Sequence, residues 1–210
     1  MNPTFVRSQG SLFDAEDEGR AETLADVNEE IKLRTLANPA FAGRSLILGS
    51  GPQSPGVAVV GESPGIPDIQ SGIPFMGPVG DLLNIMISSI GLKRNQCFLT
   101  NTVKLVSSGD EITKDILTFF VPFLFRELNA VKPALIISLG NTPTHALLQT
   151  RKPISSLRGE FQSFNGIKVM PTYNPAYLLR DPSRKREAWE DLKKVRAVIQ
   201  SSLDPNSQRV

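Results

Sequence analysis

A chain of 210 residues, 40% hydrophobic and 21% charged, suits one globular domain with a buried core. Its single cysteine excludes a disulfide framework and any metal or iron–sulfur site built wholly of cysteines, and points to a reducing compartment. No run of about 18 apolar residues exists and the N-terminus lacks a basic-then-apolar pattern, so neither a membrane span nor a secretory signal is expected. The net charge of +2 conceals a division: residues 1–30 hold eight acids against Arg7 and Arg20, a net of −6, which leaves +8 on the other 180 residues. A basic body behind an acidic leader suggests a polyanionic partner, with an ordinary solvated surface as the plain alternative.

In chain order, residues 1–23 are polar, acidic and aperiodic, and are expected to form a disordered tail ahead of one domain over 24–201 and a flexible end at 202–210. The spacing of LADVNEEIKLRTLA predicts a helix over 24–37, capped by Thr23 or Asp26. Leu46-Ile47-Leu48 reads as a strand or an extended loop. Val57–Val60 is a short apolar run bounded by glycine, which marks a buried parallel strand. A Pro/Gly-rich loop follows, then a helix over about 80–90. Strands are expected at 97–101, 134–139 and 166–170, with helices over 112–131 (interrupted at Pro122), 142–149 and 183–201. This alternation predicts an α/β fold of three αβα layers around a four-stranded parallel sheet. Ligands of such sheets bind beyond the carboxyl ends of the strands, where Gly61-Glu62-Ser63-Pro64-Gly65, Asn101 and Asn174-Pro175 converge.

The loop from Gly61 to Phe75 carries Glu62, Asp68 and Phe75 on a path stiffened by Pro64, Pro67 and Pro74, a frame suited to a planar polar ligand. Read with PFMGPVGDLL (74–83), LTNTVK (99–104), LRG (157–159), TYNPAYLLR (172–180) and the basic helix bearing Trp189 and Asp191, the series resembles the type 4 uracil-DNA glycosylases, over about residues 33–198. The resemblance implies a pocket at the strand ends that accepts a flipped nucleotide. Gly61 and Ser63 would line it, Phe75 would stack on uracil, and Asn101 would read its imide edge, since an amide offers one donor and one acceptor. By the same resemblance Glu62 matches the acidic residue of the family's first loop, and Asp68 takes the place of a Glu that helps to bind the base and water. Either of the two would position water against C1′, and Asn174 stands where the family usually has the His of His-Pro. Asn174 donates a hydrogen bond without positive charge, which implies slower or altered catalysis.

The resemblance also implies a four-cysteine iron–sulfur cluster, but the four positions hold Thr35, Asn38, Leu105 and Phe120, so no cofactor is expected and the cluster site reads as an apolar part of the core. Cys97 reads as a core thiol and His145 as structural. DNA contact is assigned to Lys104, Arg158, Pro175, Tyr177, Leu178, Arg180, Arg184, Lys185 and Arg186, through phosphate contacts and a loop entering the groove. Lys193 and Lys194 read as a solvated helix face. Gln9-Gly10-Ser11-Leu12-Phe13 resembles the bacterial sliding-clamp-binding pentapeptide: Leu12 and Phe13 would fill an apolar pocket while Gln9 bonds at its edge.

The expectation is therefore a monomeric, cytoplasmic, nucleoid-associated DNA glycosylase of bacterial or phage origin. It would be monofunctional, releasing uracil or a related altered pyrimidine to leave an abasic site. Two alternatives stay open: specificity for another base (hypoxanthine, mismatched thymine or a modified phage pyrimidine), or a non-catalytic, clamp-tethered DNA-binding protein.

Overall fold

The computed structural model describes residues 20–106 and 112–203. Thr23 opens helix α1 (Leu24–Leu36): the Asp26 amide donates to its hydroxyl at 3.3 Å, and its own N–H donates to the Asp26 carboxylate at 2.9 Å. This capping box satisfies two amide donors that a helix start otherwise leaves open. Strands β1 (Val57–Gly61), β2 (Cys97–Asn101) and β3 (Leu135–Leu139) are buried at every position, because helices cover both faces of the sheet.

The sheet has five strands rather than four. Strand β4 (Gln162–Phe164) pairs antiparallel with β5 (Ile167–Thr172), giving the order β2-β1-β3-β5-β4 with all other pairings parallel. The hairpin turns at Asn165-Gly166, both at positive φ (48° and 83°), and Asn-Gly supplies such a turn at least steric cost. Leu46 and Ser50 bridge antiparallel to Leu105 and Leu99, so the 46–48 run is an extended loop along the sheet edge.

Alternation along the strands divides the core. Val57, Val59, Leu99, Ile137 and Met170 pack under helices α3 (Gly77–Ser89) and α8 (Lys185–Leu203). Ala58, Val60, Phe98, Ile136 and Val169 face helices α4 (Lys114–Val131) and α5 (Asn141–Leu148). The break expected at Pro122 does not occur, and α4 runs through it. Proline inside a helix costs about 3 kcal/mol, but α4 buries Phe120, Phe123, Leu124, Leu128 and Val131, whose burial at about 1.5–3 kcal/mol each exceeds that cost.

A third cluster joins α1 to the outer side of α4 through Val27, Ile31, Phe41, Val103, Leu105, Phe120 and Phe123. Three short helices stand where the sequence reading placed loops: α2 (Ile66–Ser71), α6 (Ile154–Leu157) and α7 (Pro175–Arg180). Among the described residues no helix is long and apolar enough to cross a membrane.

Candidate active site

Since β2 and β3 flank β1 on opposite sides, the chain reverses its winding at β1, and the loops after β1 and β3 diverge to leave a crevice there. Two adjoining cavities open at it. One, of about 350 Å³, is lined by Glu62, Ser63, Asp68, Phe75, Asn101 and Asn174. The other, of about 670 Å³, shares Glu62, Asn174 and Arg180 and extends along Tyr173, Tyr177 and Arg184.

Gly61 makes the smaller cavity possible. A Cβ there would lie 2.6 Å from the tip of the Phe75 ring and would also strike Asn101 Oδ1, so only glycine lets ring, amide and strand end meet. Asn101, the last residue of β2, is 2% exposed, and neither its Oδ1 nor its Nδ2 has a partner among the described residues. Buried side-chain polar atoms are nearly always paired, so an amide with both atoms open is set up for a ligand that supplies one donor and one acceptor.

Glu62 is exposed at the junction of the two cavities, and the Thr142 hydroxyl at the start of α5 donates to its Oε2. Asn174 caps α7: its Oδ1 accepts from the Ala176 amide at 2.8 Å and its Nδ2 donates to the Leu139 carbonyl at 3.3 Å. One Nδ2 hydrogen is left for the crevice. Asp68 is 3% exposed, and both its oxygens accept backbone amides, from Met76 at 2.7 Å and Gly65 at 3.1 Å. It therefore ties the loop together from the wall of the smaller cavity.

Several residues expected on DNA lie elsewhere. Lys104 is fully buried, ion-paired to Glu127 Oε2 at 2.5 Å and donating to the Asn101 carbonyl, because the chain turns inward after β2. Arg158 pins its loop to α8, bonding Asp191 and the Glu187 carbonyl and lying 5.5 Å from the centre of the Tyr173 ring. Pro175 and Leu178 are the inner face of α7 and are buried; Tyr177 is half-buried, its hydroxyl donating to Asp181 at 3.2 Å. Arg180, Arg184, Lys185 and Arg186 are exposed; Arg180 and Arg184 line the crevice, with Arg184 held by Glu187 at 2.6 Å.

Gln9, Leu12 and Phe13 lie outside the described residues. Cys97 is buried, and desolvation pushes its thiol up to about 11, so it stays protonated at neutral pH and is no nucleophile. His145 bonds the Lys152 carbonyl at 2.8 Å, away from the crevice.

Thr142 went unread in the sequence, although it follows the end of β3 at the crevice, where its position was the only signal. Glu127 gave none, being one more polar residue on an amphipathic helix.

The family model described as the uracil DNA glycosylase superfamily matches residues 48–193, which span β1 to α8 and every loop of the crevice. The chain belongs to the uracil DNA glycosylase superfamily. Relatives within it include the type-4 uracil-DNA glycosylases of Saccharolobus solfataricus (32% identical, covering 75% of this chain and 78% of the relative) and Thermotoga maritima (29%, covering 86% and 96%). That of Sulfurisphaera tokodaii is 34% identical over 68% of this chain and 69% of its own.

This glycosylase-superfamily chain departs from a cluster-bearing pattern in a physically definite way. Its one cysteine sits on β2, and the four positions to which the resemblance assigns thiolates hold Thr35, Asn38, Leu105 and Phe120. Leu105 and Phe120 are wholly buried among phenylalanines, with Phe41 stacked on Phe120 at 5.7 Å and Phe119 edge-on to it at 4.8 Å. An apolar core of this kind offers no ligand to iron, so the residues do not fit the cluster.

Proposed function

We propose that the chain hydrolyses the N-glycosidic bond of uracil, or of a related altered pyrimidine, in DNA and leaves an abasic site. The observation that carries this reading is the open Asn101 amide beside the Phe75 ring over Gly61, in a cavity of about 350 Å³. The target nucleotide leaves the stack at a cost of about a few kcal/mol, offset by stacking on Phe75 and by hydrogen bonds to Asn101. The C1′–N bond breaks with its electron pair on the base. Water held by Glu62, itself steadied by Thr142, adds its oxygen to C1′ and passes one proton to the Glu62 carboxylate, while the departing base anion takes up a proton from solvent. The spare Nδ2 hydrogen of Asn174 meets the charge that gathers on the base carbonyl, and losing such a donor costs roughly 2.7–4 kcal/mol in comparable sites. Arg180, Lys185 and Arg186 bind phosphates, and the protein acts as a monomer without a cofactor. In the leader, Gln9, Leu12 and Phe13 engage a sliding clamp.

The test is base release from oligonucleotides carrying uracil, hypoxanthine, mismatched thymine or a modified pyrimidine. Release of uracil is expected, reduced at least ~100-fold by Asn101→Ala; no release from any substrate sinks the reading. Asn174 in the place of histidine favours a second reading, a different preferred base, which the same panel distinguishes. For the clamp, Leu12→Ala/Phe13→Ala should abolish co-elution with a bacterial sliding clamp and leave base release unchanged. Co-elution that survives the change refutes the assignment.

A further inference from the structure

Phe75 is the one non-glycine residue of the crevice with a left-handed backbone, at φ +62°. A bulky residue rarely adopts this conformation, and it persists only where its surroundings hold it. Here they hold it from three sides. Arg94, in the turn before β2, donates from Nη2 to the Pro74 carbonyl at 2.5 Å and from Nη1 to the Phe75 carbonyl at 3.0 Å. Asp68 accepts the next amide, that of Met76, at 2.7 Å, and its second oxygen ties the turn to Gly65. From below, Gly80 of α3 lies so close that a Cβ would strike the Phe75 carbonyl. Asn84 Oδ1, also on α3, takes a further guanidinium hydrogen at 3.3 Å and fixes the direction of Arg94.

We infer that Arg94 and Asp68 are positioning residues that clamp the 74–76 turn and so fix the plane of the Phe75 ring against which the flipped base stacks. The inference rests on the proposed stacking role of Phe75. It also gives Asp68 a task distinct from the water- and base-binding one that the resemblance implied. The planar fork of a guanidinium suits two successive carbonyls, whereas a lysine ammonium supplies a point charge without the fork. Without the clamp the turn relaxes toward an ordinary conformation and carries the ring away from Gly61.

The full chain carrying Arg94→Met, Arg94→Lys, Asp68→Asn or Phe75→Ala, and the Arg94→Met/Phe75→Ala pair, tests this. Amide exchange at Met76, followed by NMR, reads the turn directly. kcat and KM for base release from a uracil-containing single strand read its consequence. Arg94→Met and Asp68→Asn should speed exchange at Met76 at least ~10-fold and lower kcat/KM by ~10–100-fold, with Arg94→Lys recovering part of the loss. In the Phe75→Ala background Arg94→Met should cause no further loss, since the ring it positions is gone. Unchanged exchange overturns the inference, as do losses from Arg94→Met and Phe75→Ala that multiply. Should Arg94→Met fail to fold, Arg94→Lys and Asp68→Asn carry the same comparison. If the wild type releases no base, the proposed function falls, while the exchange measurement still decides the clamp.

Discussion

Beneath the smaller cavity lies a charge pair that water does not reach. Lys104 Nζ donates to Glu127 Oε2, to the Thr100 hydroxyl at 2.6 Å and to the Asn101 carbonyl at 2.5 Å, and both charged side chains are 0% exposed. Burial holds the ammonium pKa below its ordinary value, and the Glu127 carboxylate offsets only part of that. Such pairs contribute little net stability, yet removing one partner strands the other charge. Glu127 Oε1 has no partner among the described residues, so the pair is not arranged for stability alone. Its ammonium instead fixes the carbonyl of the residue whose amide faces the pocket. Lys104→Met should therefore cost about 3–5 kcal/mol in urea unfolding. Lys104→Met/Glu127→Leu should regain most of that stability but not base release, because the Asn101 carbonyl still lacks its donor. Asn101 and Phe75 were legible in the sequence as members of ordered motifs. The duty of Lys104 was not: a lysine in a chain with 23 basic residues reads as surface until its neighbours are known.

At the scale of elements, the strands were legible because a strand covered on both faces is mostly apolar, and the runs at Val57–Val60 and Leu135–Leu139 stand out. The short helices were not, since four to six residues are too few to show a period. Even so, α7 carried its own signal, an Asn cap followed by proline at the first helical position, and the Asn165-Gly166 pair announced the hairpin that adds β4. Pro122 misled for a complementary reason: local chemistry argued for a break, and burial on two sides of α4 overrode it. The end of β1 is where element geometry governs chemistry most directly. Gly61→Ala should leave the fold cooperative, yet its methyl displaces both the Phe75 ring and the Asn101 amide. A displacement near 1 Å at a reacting centre costs on the order of 100-fold, so kcat/KM for base release should fall by at least that factor. Retention of wild-type kinetics in Gly61→Ala would remove the ring–amide pair from the mechanism.

Across the whole molecule, charge is apportioned more finely than composition suggests. Arg126 joins Glu22 and Glu30, Lys193 joins Glu190, and Lys194 joins Glu160, so these basic side chains are already paired within the fold. Arg180 lines the crevice, Lys185 and Arg186 are exposed at the start of α8, and none of the three is in an ion pair among the described residues. Each phosphate contact contributes about 0.9 to the slope of log affinity against log salt on duplex DNA. Lys185→Ala/Arg186→Ala should therefore flatten that slope by about 2 and weaken all sequences alike, whereas Lys193→Ala should change it little. The aromatic cluster around Phe120 bears on how such a protein lives in a cell. Where a metal centre ties chain segments together, folding waits on delivery of the metal and the product fails when oxidants strip it. Packed rings and aliphatic side chains hold α1 to α4 here, so a repair protein of this design would mature without iron and keep its shape during peroxide stress, when damaged bases accumulate.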